Sequence, residues 1–153
     1  MKNFTSVNDA LDFAIINEQG AHDFYMHLAG KMKKPEMAKV FEEFAAEELG
    51  HKAALESVKK GGDFKTAEEY VLDLKIADYV VRVDENAEDL DYQHALILAM
   101  KREKAAYRLY TKLAAGAETD KLRKLFTSMA QEEAKHKLRF EIEYDDNYLT
   151  SKN

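Results

Sequence analysis

The chain has 153 residues, 46% hydrophobic and 34% charged, with a net charge of −6 and no cysteine. That excludes disulfides, iron–sulfur clusters, thiolate zinc sites and thiol catalysis, and it sets the charge against a nucleic-acid or anionic-membrane partner. No apolar run approaches the ~18 residues of a membrane span, and MKNFTSVNDA lacks the apolar stretch of a secretory signal, so a cytoplasmic, single-domain protein is expected.

Helical periodicity dominates, and the spacing predicts four helices. The first runs from about 6 to 31, with Ser6 as N-cap and Asp9 as the acidic partner of a capping box. Its apolar stripe is Val7, Leu11, Ile15, Tyr25, Leu28 and Met32. Pro35 restarts the chain into a second helix, about 36 to 59, which stops at Gly61-Gly62. A third spans about 91 to 116, with Asp91 as N-cap, and a fourth about 118 to 144. Residues 61–90 between the pairs read as a partly helical crossover with apolar patches at Tyr70–Leu74 and Tyr79–Val83. Residues 145–153 read as a frayed tail. The expected architecture is all-α: one domain over 1–144, made of a hairpin at 6–60, a crossover and a hairpin at 91–144. Short turns within each pair and one long crossover between pairs are what a four-helix bundle of this kind requires.

The chain repeats itself at an offset of 85 residues without gaps. Ala10, Leu11, Ala14, Glu18, Ala21, Tyr25, Leu28 and Ala29 match Ala95, Leu96, Ala99, Glu103, Ala106, Tyr110, Leu113 and Ala114. Lys39, Phe41, Ala45, Glu47, Glu48, His51, Lys52 and Glu56 match Lys124, Phe126, Ala130, Glu132, Glu133, His136, Lys137 and Glu141. The chain is therefore two copies of one helical hairpin, expected to pack about a pseudo-two-fold axis.

Each apolar stripe is interrupted by a carboxylate. The first and third helices carry Glu18 and Glu103. The second and fourth carry Glu48-x-x-His51 and Glu133-x-x-His136, whose members lie on one helix face. Four bare carboxylates in a core would be severely destabilising, whereas two divalent cations would neutralise them. Oxygen-rich ligation with one imidazole per metal suits iron or manganese, with zinc or cobalt as substitutes. A single Glu-x-x-His is usually solvated surface, and a lone buried histidine is usually a hydrogen-bonded core residue. Six such residues on four stripes in two matched halves are neither.

Other polar residues read more simply. Tyr25 and Tyr110, two turns beyond Glu18 and Glu103, could hydrogen-bond the carboxylates or be core tyrosines. His22 has Tyr107 as its repeat partner, which argues against a symmetric ligand role. His27 and His94 read as surface residues. Glu47, Glu132, Glu42 and Glu43 read as solvated or paired with cations.

The pattern of Glu18, EELGH (47–51), Glu103 and EEAKH (132–136) resembles the ferritin-like di-iron carboxylate superfamily, and within it the rubrerythrin group, over almost the whole chain except the crossover and tail. The resemblance implies a ferritin-like four-helix bundle holding two iron ions. Glu18 and His51 would be terminal ligands of one, Glu103 and His136 of the other, and Glu48 and Glu133 would bridge. These six residues are thus the expected metal and catalytic set. In such proteins the reduced centre reacts with hydrogen peroxide or dioxygen, and a reductant regenerates it. Full-length rubrerythrins add a cysteine-bearing rubredoxin-like domain. The absence of cysteine here implies a separate electron-donor protein. Rubrerythrins also carry a further glutamate one turn after the third-helix ligand, where this chain has Ala106, with Ala21 as its repeat partner. A six-ligand site is closer to a ferroxidase.

The resulting expectation is an oxidoreductase acting on peroxide or dioxygen, with a role against oxidative stress. The alternatives are an iron-oxidising and iron-holding protein, an oxygenase using space beside Ala14, Ala45, Ala99 and Ala130, and a metal-free interaction module. Bundles of this type commonly dimerise, and the sequence leaves a homodimer open.

Overall fold

The computed structural model describes residues 6–61, 79, 81 and 91–149. They form α1 (Val7–Lys31), α2 (Pro35–Gly61), α3 (Tyr92–Gly116) and α4 (Asp120–Tyr144), followed by a π-helical turn, Asp145–Leu149. The helices fall into two compact units, α1 with α2 and α3 with α4. The expected crossover at 61–90 lies outside the described residues save Gly61, the buried Tyr79 and the half-buried Val81.

The offset of 85 is visible in the backbone. α1 begins one residue after Ser6 and α3 one residue after Asp91, and both side chains cap, accepting from the N–H of Asp9 and His94 respectively. Both helices end on an extended residue, Met32 and Ala117, whose N–H returns to the carbonyl three residues back. Each hairpin then turns within three residues, which makes its helices antiparallel neighbours.

The start of α4 departs from the expected position near 118. Ala117 is extended and Thr119 sits in the β region, its hydroxyl accepting from the Leu122 N–H at 3.2 Å, so the helix starts at Asp120. The equivalent residue in the first hairpin is Lys34. There α2 starts at Pro35, whose fixed φ and missing N–H suit a first helical position. Thr119→Ala should destabilise the protein by about 1 kcal/mol in urea unfolding, as N-cap losses typically do. An unchanged midpoint would show that the hydroxyl contributes nothing there.

The frayed tail is also corrected over 145–149. The Asp145 N–H reaches the carbonyls of both Glu141 and Ile142, a shared bond that closes α4, and a π-helical turn follows over Asp145–Leu149. The Asn147 amide donates to the Glu143 carbonyl and carboxylate, and Tyr148 packs on Tyr144 with ring centroids 5.1 Å apart. At the same end of the hairpin, the Tyr92 hydroxyl donates to Glu143 at 2.7 Å and the Gln93 amide to the Tyr144 oxygen at 3.0 Å. Burial and that bond to Glu143 push the Tyr92 phenol well above its ordinary range.

Candidate metal centre

Antiparallel helices joined by a short turn place residues equidistant from the turn at one level. Counting outward from Lys33, these are Tyr25 with Phe41, Glu18 with Glu48, and Leu11 with Leu55. Counting outward from Glu118 in the second hairpin, they are Tyr110 with Phe126, Glu103 with Glu133, and Leu96 with Phe140. Successive levels are seven residues, about two turns, apart, so all lie on one face of each helix. Every one of these twelve side chains is buried. The polar level is thus walled by aromatics on the turn side and by apolar side chains on the other. Tyr25 stacks on Phe41 at 6.4 Å between centroids and Tyr110 on Phe126 at 6.5 Å.

The polar levels hold Glu18, Glu48 and His51 in one hairpin and Glu103, Glu133 and His136 in the other. Among the described residues these six are the whole set of buried charged or imidazole side chains. The Nδ1 of His51 lies 3.3 Å from Glu18 Oε2 and 3.6 Å from Glu48 Oε1. The Nδ1 of His136 lies 3.4 Å from Glu103 Oε2 and 3.5 Å from Glu133 Oε1. Within each hairpin one oxygen of each glutamate and the imidazole nitrogen all lie within 4.8 Å of one another.

This donor set fits a divalent cation. Two ligand atoms each roughly 2.0–2.2 Å from one ion stand roughly 3.0–3.6 Å apart, depending on the angle between them. The four nitrogen–oxygen distances fall at the upper end of that interval or on it. Two carboxylates and a neutral imidazole carry a charge of −2, which one divalent ion per hairpin cancels. Without it, two like charges would be buried side by side in a water-excluding level.

The remaining polar residues stay out of these levels. His94 is exposed and held by Asp91, while Glu42, Glu43 and Glu47 are exposed and Glu132 is half-buried. His22 pairs with Asp23 at 2.9 Å. His27, expected on the surface, is instead half-buried, its Nε2 covered by protein and without a hydrogen-bond partner among the described residues. One network escaped the sequence reading: the Lys52 ammonium donates to the Gln19 side chain at 2.7 Å, and the Gln19 amide donates to Asp23 at 2.9 Å. Gln19 and Lys52 adjoin Glu18 and His51 in the chain, which was the available signal. The bonds from His22 and then Gln19 hold the Asp23 carboxyl below the usual carboxylate range.

Among the described residues no helix is long and apolar enough to cross a membrane. Solved structures supply the fold. The chain is similar to a Thermotoga maritima protein described as a ferritin-like diiron-carboxylate protein, at 22% identity and a TM-score of 0.80, covering 96% of this chain and 99% of that one. It is also similar to a hypothetical protein from Pyrococcus furiosus, at 24% identity and a TM-score of 0.67, covering 95% of each. These likenesses establish an all-α, ferritin-like four-helix-bundle fold. No protein of curated function matches the chain. The Rubrerythrin family matches residues 9–144, and the chain belongs to that family.

Proposed function

We propose that the protein is a di-iron oxidoreductase reducing hydrogen peroxide or dioxygen. Glu18 and His51 would be terminal ligands of one ion, Glu103 and His136 of the other, with Glu48 and Glu133 bridging. The observation that carries this reading is the coincidence of two sets: the buried charged and imidazole side chains of the described residues are a duplicated Glu, Glu, His group with the spacing of ligands around an ion. Membership of the Rubrerythrin family supports iron over other divalent metals.

Bound iron supplies redox equivalents and Lewis acidity. The chain's own part is to hold and enclose. His51 and His136 present Nδ1 toward the carboxylates one turn away on their own helices. The Tyr25–Phe41 and Tyr110–Phe126 stacks close the turn side of each polar level to bulk water. Reduction of one peroxide to two waters consumes two protons and two electrons. These 153 residues hold no cysteine to build a sulfur-ligated relay, which supports a donor outside them as the source of the electrons.

One feature favours a second reading, iron oxidation and retention without sustained turnover. Ala106 stands one turn after Glu103, where the rubrerythrin resemblance places a further glutamate. Both readings require the dinuclear site, and elemental analysis of protein purified without added metal or chelator tests it. About two iron or manganese atoms per chain are expected, lost in Glu48→Ala and Glu133→Ala. A metal-free wild type, with variants no less stable than it, would overturn both. Continuous peroxide consumption with a reductant, against a single round of oxidation, separates them.

A further inference from the structure

The two hairpins agree at their buried levels and disagree on their outer faces. α3 carries five cations, Lys101, Arg102, Lys104, Arg108 and Lys112, against one carboxylate, the buried Glu103. Lys101, Lys104, Arg108 and Lys112 are exposed and spaced by three or four residues, so they line one face of the helix. The positions 85 residues earlier are Ile16, Gln19, Asp23 and His27, with no lysine or arginine among them. There, Gln19 and Asp23 are engaged with Lys52 and His22. The four α3 cations form no ion pair with a described residue. Because the buried levels are alike, the metal chemistry does not account for this difference. In a chain of net charge −6, such a face is also a local reversal of sign.

Beside it, between α3 and α4, runs an open groove of about 390 Å³ lined by Tyr107, Thr111, Arg123, Thr127, Gln131 and Ala130. Tyr107 is one turn beyond Glu103, and Ala130 is one turn before Glu133. The groove therefore brings the surface within a helical turn of both buried glutamates of its hairpin. Its arginine is already committed, donating to Asp120 and to the Ala117 carbonyl. The other cations spread along roughly 16 Å of helix. That extent suits a protein surface rather than a small anion.

We propose that this cationic face and its groove are the docking site of the electron donor, a one-electron carrier protein with an acidic surface. The inference rests on the oxidoreductase reading. Each docked carrier is oxidised by one electron, so two successive encounters supply the two electrons consumed per peroxide. Charge complementarity would raise the encounter rate and orient the carrier over the groove.

The test uses the full, metal-loaded chain and the variant Lys104→Glu/Arg108→Glu/Lys112→Glu, whose substitutions are all exposed and outside the ligand set. An oxidised acidic flavodoxin is titrated into isotope-labelled protein and amide shifts are followed. Shifts along α3 and the groove are expected, with affinity at least about tenfold weaker in the variant and in high salt. Metal content and reduction by a neutral hydroquinone should be unchanged. Shifts elsewhere, equal affinity of wild type and variant, or preferential binding of a DNA duplex would overturn the docking site. So would self-association of the wild type that the reversal abolishes, which would assign the face to a second copy. The binding map is read independently of chemistry. A metal-free or peroxide-inert protein therefore defeats the functional reading by its own measurement.

Discussion

Removing metal from the loaded protein with a chelator should lower its unfolding temperature by about 10 °C or more. A ligand that binds only the folded state at a thousandfold excess over its dissociation constant stabilises by about 4 kcal/mol per site. At this chain length each kcal/mol moves the midpoint by roughly 2–4 °C. The sharper form of the prediction is a change of sign. Glu103→Gln removes a ligand and should lower the midpoint of the loaded protein. In the metal-free protein it removes one of two like charges buried within 4.8 Å of each other, and the midpoint should rise. A purely structural network predicts otherwise. If His136 were a cation held by Glu103 and Glu133, losing one partner would destabilise the protein with or without metal, by roughly 3–5 kcal/mol. Differential scanning calorimetry of the loaded and stripped forms decides between the two, and a fall in both would sink the metal reading.

Much of this was legible because the sequence states it twice. A stripe interrupted by Glu18 alone is ambiguous. The same interruption at Glu103, with His51 and His136 in matching register, is not, and the structure brings each group of three together. Helix starts were legible at Ser6 and Asp91, which cap as the spacing predicts. The start at Ala117-Glu118-Thr119-Asp120 was not, because the extended backbone at Ala117 moves it on to Asp120. The Asp145-Asp146-Asn147 run looks like a chain end by composition. The Tyr144–Tyr148 contact and the Asn147 bonds that order it depend on side-chain geometry that periodicity does not encode. The Lys52–Gln19 bond was illegible for a related reason: it joins α1 to α2 and depends on how the two helices are rotated about their axes. The cationic face of α3 is plain in the sequence once α3 is set beside α1, yet it acquires meaning only when those positions prove exposed. The reaction is least legible, because six candidate ligands would specify what is held and leave the chemistry to the surroundings.

Phe126→Ala should be among the most destabilising substitutions, costing roughly 3–5 kcal/mol, the usual cost of truncating a fully buried phenylalanine. The ring is wholly enclosed and lies nearly parallel to Tyr110, with 6° between planes. Phe41 occupies the equivalent place, equally enclosed and 24° from the plane of Tyr25. Phe41→Ala should therefore cost the same to within about 1 kcal/mol, and urea unfolding of both variants measures the energetic symmetry of the repeat. A much smaller cost for Phe41→Ala would mean that the hairpins share a pattern without sharing its energetics. The substitutions also reach the site. Phe41 and Phe126 each stand two turns before the glutamate of their helix, and a cavity there opens the turn side of the polar level. Metal release to a chelator should accelerate in both variants while the initial metal content stays at the wild-type value, because no ligand has been touched. If stability falls and the release rate does not change, the aromatic stacks hold the hairpins together without guarding the ions. The exclusion of water from the site would then have to be assigned to the opposite wall, formed by Leu11 with Leu55 and Leu96 with Phe140.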